Sequence, residues 1–272
     1  MNNLKAYFGS EHDVHRIILL TFSLVLFWNI ENIASINFNY KKWKHAFTNG
    51  LFIITDAPIQ FLFGIALIKT INWDGLHHWG ALNLIPGFSN PWIELIVTFI
   101  FLDFFEYVYH IIMHKVKRFW KFHLVHHSDR VVDVSTTLRE HPGETLIRLS
   151  FSVFWVFLLG ASFWVILLRQ FIQIASNVFV HSNFRLPDKI DRIAGLVFIT
   201  PNIHHVHHHY KQPYTDSNYG DILSVWDRLF KTFRRLDIDK TQFGLDTRMD
   251  VEVNTGIKKL ATIPFEKIIS NK

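Results

Sequence analysis

Long uncharged apolar runs alternate with short polar stretches along this chain, and the run lengths predict helices that cross a bilayer. Residues 1–15 are polar and are placed on the membrane surface. The first run, residues 17–30, ends at Glu31. It is shorter than the roughly 20 residues a spanning helix needs, so it spans only by drawing in its flanks. Lys41, Lys42, Trp43 and Lys44 follow as a basic and aromatic interface anchor. Residues 46–68 are long enough to span, with Asp56 and Pro58 in the middle; the proline predicts a kink, and the buried acid needs a partner. Residues 69–90 read as a loop with a Pro86-Gly87 turn, carrying His77 and His78 as solvated interfacial histidines.

Pro91 suits the first position of a third span, which runs from Trp92 into a histidine cluster. Residues 142–160 and 162–181 are two runs of nearly equal length, each roughly 30 Å as a helix. Folded as a hairpin about Gly160-Ala161, they return His181 to the level of His141. A single span over residues 149–168 is the competing parse; it leaves too short a return for His181. The chain from Tyr210 is polar, with Trp226, Phe230 and Phe233, and reads as a small cytosolic cap. Residues after about Leu236 carry no motif. The expected architecture is all-α: a polytopic membrane protein whose helices extend into a cytosolic site. Its three parts are N-terminal membrane helices (1–90), a catalytic domain (91–235) and a cytosolic C-terminal tail (236–272).

Composition sharpens this picture. Half of the 272 residues, 49%, are hydrophobic, as in a membrane protein. The net charge is +5, and Lys115, Lys117, Arg118, Lys121, Arg130, Arg139 and Arg148 crowd one region. Five spans put that region, the Lys41 loop and the C-terminal part on one face, which the positive-inside rule makes cytosolic. The basic residues are therefore read against anionic lipid, and a nucleic-acid partner is excluded. No cleavable signal is expected, because Glu11 and Asp13 precede the first run and no A-x-A site follows it. There is no cysteine, so any metal site is built from nitrogen and oxygen.

The chemistry lies in the histidines. His110 and His114 are spaced H-x-x-x-H, and His123, His126 and His127 are spaced H-x-x-H-H. On a helix such residues share a face. A second H-x-x-H-H lies at His204, His207 and His208, with an alternative register of His205, His208 and His209. Imidazole is a common neutral metal ligand, so three clusters at helical spacing predict a metal site. Polar stripes lead into it: Asp103, Tyr107, His110 and His114 on one helix, and Arg169, Gln173, Asn177 and His181 on another. Asp103 and Arg169 are buried charges that need partners. The expectation is that they approach each other, directly or through Gln173.

The ordered set H-x-x-x-H, H-x-x-H-H, R-x-H-P-x-E and T-P-x-x-H-x-x-H-H resembles the fatty acid hydroxylase or sterol desaturase superfamily. So do residues 215–220 and 226–230. The resemblance covers about residues 95–235. It implies a membrane-bound non-haem enzyme with two iron ions. Dioxygen and two electrons would be used to hydroxylate or desaturate a C–H bond of a fatty acyl, sterol-like or other lipid. The implied ligands are His110, His114, His123, His126, His127, His204, His207 and His208, with His181 as a further one. His141, Asn177, Asp103 and Tyr107 are candidates for the surrounding sphere, and His141 or Asn177 for direct or water-mediated binding. Electrons would come from a ferredoxin or b-type cytochrome with its reductase, since no flavin or nicotinamide fingerprint is present. The expected location is a bacterial inner membrane rather than endoplasmic reticulum. A metal carrier or non-redox zinc protein is the alternative. A carrier places its ligands near the bilayer midplane, and a zinc hydrolase needs a base such as the Glu of H-E-x-x-H, which is absent.

Overall fold

The computed structural model describes residues 12–36, 39–85, 90–249 and 256–266. The polar stretch before residue 12 and the Pro86-Gly87 turn lie outside them. The regular structure of the described residues is helical, apart from isolated bridges such as Phe198 to Leu223. In chain order the helices are α1 (His12–Ala34), α2 (Lys42–Gly50), α3 (Phe52–His77), α4 (Pro91–Lys115), α5 (Lys117–His127) and α6 (Pro142–Leu159). They continue with α7 (Phe163–His181), α8 (Asp188–Ala194), α9 (Pro201–His207), α10 (Val225–Leu229) and α11 (Ile257–Thr262). Four stretches are long and apolar enough to cross a membrane: Lys42–Leu84, Pro91–Lys115, Pro142–Leu159 and Phe163–His181. The helix α1 does draw in its flanks, but its apolar part, Ile18–Ala34, stays shorter than these.

Local chemistry explains the boundaries. Pro91 and Pro142 each occupy a first helical turn, where a missing N–H costs nothing. Asn90 caps α4 by accepting from the Trp92 amide, and His141 caps α6 by accepting from the Gly143 amide. Pro58 lies inside α3 without ending it. Asp56 is buried near Thr145 and the Arg148–Glu140 ion pair. The expected hairpin turns at Gly160, whose φ of 69° favours glycine. A Cβ there would collide with the Trp79 carbonyl and Gly80.

The two hairpin arms do not pack along each other. Both lie on α4; α6 also packs along α3, and α7 along α1. Far from the histidines, Leu82, Leu102, Val156, Leu159, Ala161 and Ile166 form one core. A second core lies beneath α5 and joins Phe52, Leu124 and Val125 to Leu245, Leu260 and Ile263. The last three belong to the stretch read as a motif-free tail. Leu260 and Ile263 are fully buried, and each such side chain contributes about 1.5–3 kcal/mol. Leu245, Leu260 and Ile263 therefore help to hold α5, and with it the second histidine cluster.

Candidate metal centre

The helices deliver nine histidines to one place in two groups. His110, His114, His123, His127 and His207 form the first, and His126, His181, His204 and His208 the second; in each group the candidate donor atoms lie within 4.8 Å of one another. One turn of α5 feeds both, because consecutive residues such as His126 and His127 point to different sides of a helix. The third cluster does the same with His207 and His208. His205 packs instead on Phe243 at 5.3 Å, and His209 accepts from the Gln242 amide. The register with His204 is thus the one that faces the groups. His77 and His78 belong to neither.

Six of the nine rings are aimed by what their Nδ1 meets. His110 faces the Tyr219 carbonyl at 2.9 Å, His207 that of Ser217 at 2.7 Å, His181 that of Asn177 at 2.7 Å, and His126 that of Arg139 at 3.3 Å. His123 meets the Glu144 carboxylate at 2.5 Å, and His114 meets Asp216 at 3.2 Å. A carbonyl oxygen can only accept, so Nδ1 carries the proton and Nε2 offers a lone pair. This pairing of ligand imidazoles with carboxylates and carbonyls is the usual outer sphere of a metal site.

The Nε2 atoms then face one another. The separations are 3.2 Å for His110 to His123 and for His126 to His181. In both pairs each Nδ1 is already committed to an oxygen, so two lone pairs point together. That arrangement is repulsive unless a cation lies between them. Donors about 2.0–2.1 Å from one ion stand about 2.9–3.4 Å apart in cis or tetrahedral positions. The observed distances, including 2.9 Å for His181 to His204 and 3.2 Å for His204 to His208, fall in that range. Nε2 of His114 and His207 is buried and meets no partner in the protein. Burial pushes the His123 imidazole down to about 3. His126, His127, His204, His207 and His208 are also held well below the usual histidine value, first by burial and then by neighbouring imidazoles. All are neutral at pH 7, as ligands must be. The donor set is all imidazole, which suits iron, zinc or copper.

The surroundings differ from the sequence expectation at several points. His141 bonds to no cluster histidine: its Nδ1 caps α6, and its Nε2 donates to the Ala261 carbonyl at 3.2 Å. Pro142 explains this, since a first-turn proline makes its predecessor the cap. The carboxylate that does reach a clustered histidine is Glu144, in the same R-x-H-P-x-E motif. Asn177 acts through its main-chain carbonyl. Asp103 and Tyr107 serve the segment after the third cluster. Asp103 accepts from the Ile222 and Leu223 amides at 3.2 and 3.3 Å and from the Trp226 indole at 2.8 Å; the Tyr107 hydroxyl pairs with Thr232 at 3.0 Å. With Asp103 so occupied, Arg169 pairs instead with Asp221 at 3.6 Å and Glu106 at 3.9 Å. Gln173 bonds both Arg169 and Asp221, at 3.0 and 2.7 Å. The tie between α4 and α7 exists, with different carboxylates.

A polar network from the N-terminal helices braces the loop after the second cluster. His45 reaches Asp129 at 2.8 Å and Asp133 at 3.0 Å, and the Tyr40 hydroxyl donates to Asp133 at 2.7 Å. Glu31 accepts from the Val134 and Asn183 amides at 2.8 and 2.7 Å. Arg139, fully buried, donates to the Val125 carbonyl, Asn49 and Ser128. Its own carbonyl can then receive His126. Nothing in the spacing of Tyr40 or His45 marks this role.

The chain is similar to several known proteins. The chain is 32% identical to an alkylglycerol monooxygenase of Caenorhabditis elegans over 61% of its length and 31% of that protein's. It is 29% identical to the ornithine lipid hydroxylase OlsE of Rhizobium tropici, over 52% of this chain and 41% of that one. A cholesterol 25-hydroxylase-like protein of Danio rerio is 28% identical over 61% and 64%. The matches thus cover less than half the length of the first two relatives. No solved structure matches. The model of the fatty acid hydroxylase family fits residues 95–232, which hold all nine clustered histidines, and this chain belongs to that family.

Proposed function

We propose that the chain is a membrane-bound oxidoreductase that hydroxylates a lipid C–H bond with dioxygen and two electrons. The facing Nε2 lone pairs of the two histidine groups carry this reading. His110, His114, His123, His127 and His207 would hold one iron ion, and His126, His181, His204 and His208 the other. Two irons so held would supply activation of dioxygen towards an unactivated C–H bond. The protein's part is to keep the imidazoles neutral, aim six of them through Nδ1 and keep bulk water out. The balance is one oxygen atom into the C–H bond and the other released as water, with two electrons and two protons consumed. A ferredoxin or b-type cytochrome with its reductase would deliver the electrons. Desaturation has the same inputs; the relatives' names, hydroxylase and monooxygenase, favour oxygen insertion. The metal side would face the cytosol, with 91–235 as the catalytic unit.

The test uses the full chain in detergent or lipid discs, with iron counted per chain. It is supplied with a reductant, isotopically labelled dioxygen and a panel of alkylglycerols, ornithine lipids and sterols. Labelled hydroxyl in one lipid is expected. Two metal ions per chain without any dioxygen uptake across the panel would favour a non-redox metal protein instead.

A further inference from the structure

The segment that follows the third histidine cluster runs back towards the centre of the bilayer. Asp103 is the twelfth residue after Pro91 on the 25-residue helix α4. With Pro91 and Trp92 at one interface, a hydrocarbon layer of about 30 Å ends about 20 residues on, near His110, roughly 11 Å beyond Asp103. Asp103 bonds the Ile222 and Leu223 amides and the Trp226 indole, so those residues sit at its depth. The Trp226 and Phe230 rings lie against Phe104 of α4, at 5.0 and 6.0 Å.

Non-helical backbone at that depth requires its polar groups to be bonded within the protein. Here they are. Asp103 takes two amides, the Ile222 carbonyl accepts from Ile199, and the Val197 carbonyl accepts from Ser224. The outward side chains are apolar: Ile193 is 62% exposed, Leu196 58%, Phe198 52% and Leu229 66%. They are contiguous, since Ser224 and Arg228 both bond the Gly195 carbonyl. The patch continues onto Ile100 and Phe101, exposed on α4 itself. Lys189, Arg192 and Lys231 are exposed beside it, long cations that reach headgroups while their stems stay in acyl chains.

We propose that residues 193–198 and 222–230 are a re-entrant element immersed in the leaflet on the metal side, with Asp103 as its internal anchor. The occupant of the exposed apolar face is lipid: acyl chains against Leu196, Phe198 and Leu229, and anionic headgroups against the basic rim. Tyr219, three residues before this element, has the carbonyl that aims His110. The element therefore couples the bilayer to the first histidine group.

The cysteine-free chain allows a direct test. Leu196→Cys, Leu229→Cys and, as a water-side control, Lys211→Cys carry a nitroxide in vesicles containing anionic lipid. Relaxation by oxygen and by a polar nickel chelate is compared, after confirming that each variant is monodisperse. At Leu196 and Leu229 the oxygen-to-nickel ratio should exceed that at Lys211 several-fold. Adding Asp103→Leu should lower the ratio at Leu229 and speed amide exchange at residues 222–223. Nickel access at Leu196 and Leu229 equal to that at Lys211 would place the face in water. Protection from both reagents, with dipolar broadening between labels, would assign it to a second copy. Either overturns the proposal, and an unchanged ratio in the Asp103→Leu background overturns the anchoring role.

Discussion

Glu144 offers the sharpest test of how the first histidine group is held. Its carboxylate lies 2.5 Å from Nδ1 of His123, and the two side chains are only 7% and 6% exposed. Little solvent competes for the bond. Glu144→Gln keeps an oxygen acceptor and removes the charge; Glu144→Ala strands the imidazole N–H in a dry site. Outer-sphere partners of ligand histidines are worth about 10–100-fold in metal affinity, or about 1.4–2.7 kcal/mol. The glutamine variant should fall near the lower end and the alanine variant near the upper. The assay is chelator-driven release of metal from the purified protein, followed by elemental analysis. Only the first group contacts Glu144, so release should become biphasic, one equivalent lost early and the other at the wild-type chelator concentration. If Glu144→Ala keeps its metal like the wild type, or loses both equivalents together, the carboxylate does not tune that group.

Other expectations follow from the same geometry. His204→Ala should strip metal from the second group while His205→Ala leaves metal content unchanged, read by metal per chain; the reverse would reverse the register. The metal-free protein should lose stability as pH falls below about 6.5, where the unfolded chain takes up protons that the buried His123, held to about 3, refuses. Each such histidine contributes up to about 1.4 kcal/mol per pH unit, and melting curves between pH 7.5 and 5.5 check it; a flat profile would contradict neutral, buried rings. Arg169→Gln and Asp221→Asn should each destabilise by about 3–5 kcal/mol, with the double variant well short of their sum. Additive losses in unfolding measurements would show the two do not couple.

Much of the site could be read from spacing because histidines on a helix declare their face locally. His123, His126 and His127 needed only helical geometry, and Pro91 and Pro142 announced their helices. The hairpin followed from run lengths alone. What spacing cannot express is a main-chain acceptor. The carbonyls of Arg139, Asn177, Ser217 and Tyr219 aim four of the clustered histidines, and any residue type would supply a carbonyl. His141 was expected in the surrounding sphere; its two ring nitrogens are taken by the α6 cap and the Ala261 carbonyl, and Pro142 had marked the cap. Asp103 was assigned to Arg169 by the cost of two buried charges. Its true partners are amides more than a hundred positions away. The splaying of α6 and α7 over α4 and the burial of Leu260 and Ile263 are tertiary facts with no local signature.

The brace built from Glu31, Tyr40, His45 and Asn49 has a consequence for how such chains can be rearranged. The family pattern begins at residue 95, so inheritance of the pattern alone would not bring these four residues along. Yet they fasten the loop whose Arg139 carbonyl aims His126. A graft that joins residues 95–232 to a foreign membrane anchor would carry every histidine and leave that loop untied. The unit that is copied and the unit that is stiff are therefore different lengths. A swap of anchors succeeds only if the new one replaces Glu31, Tyr40 and His45 as partners of the Val134 amide, Asp133 and Asp129.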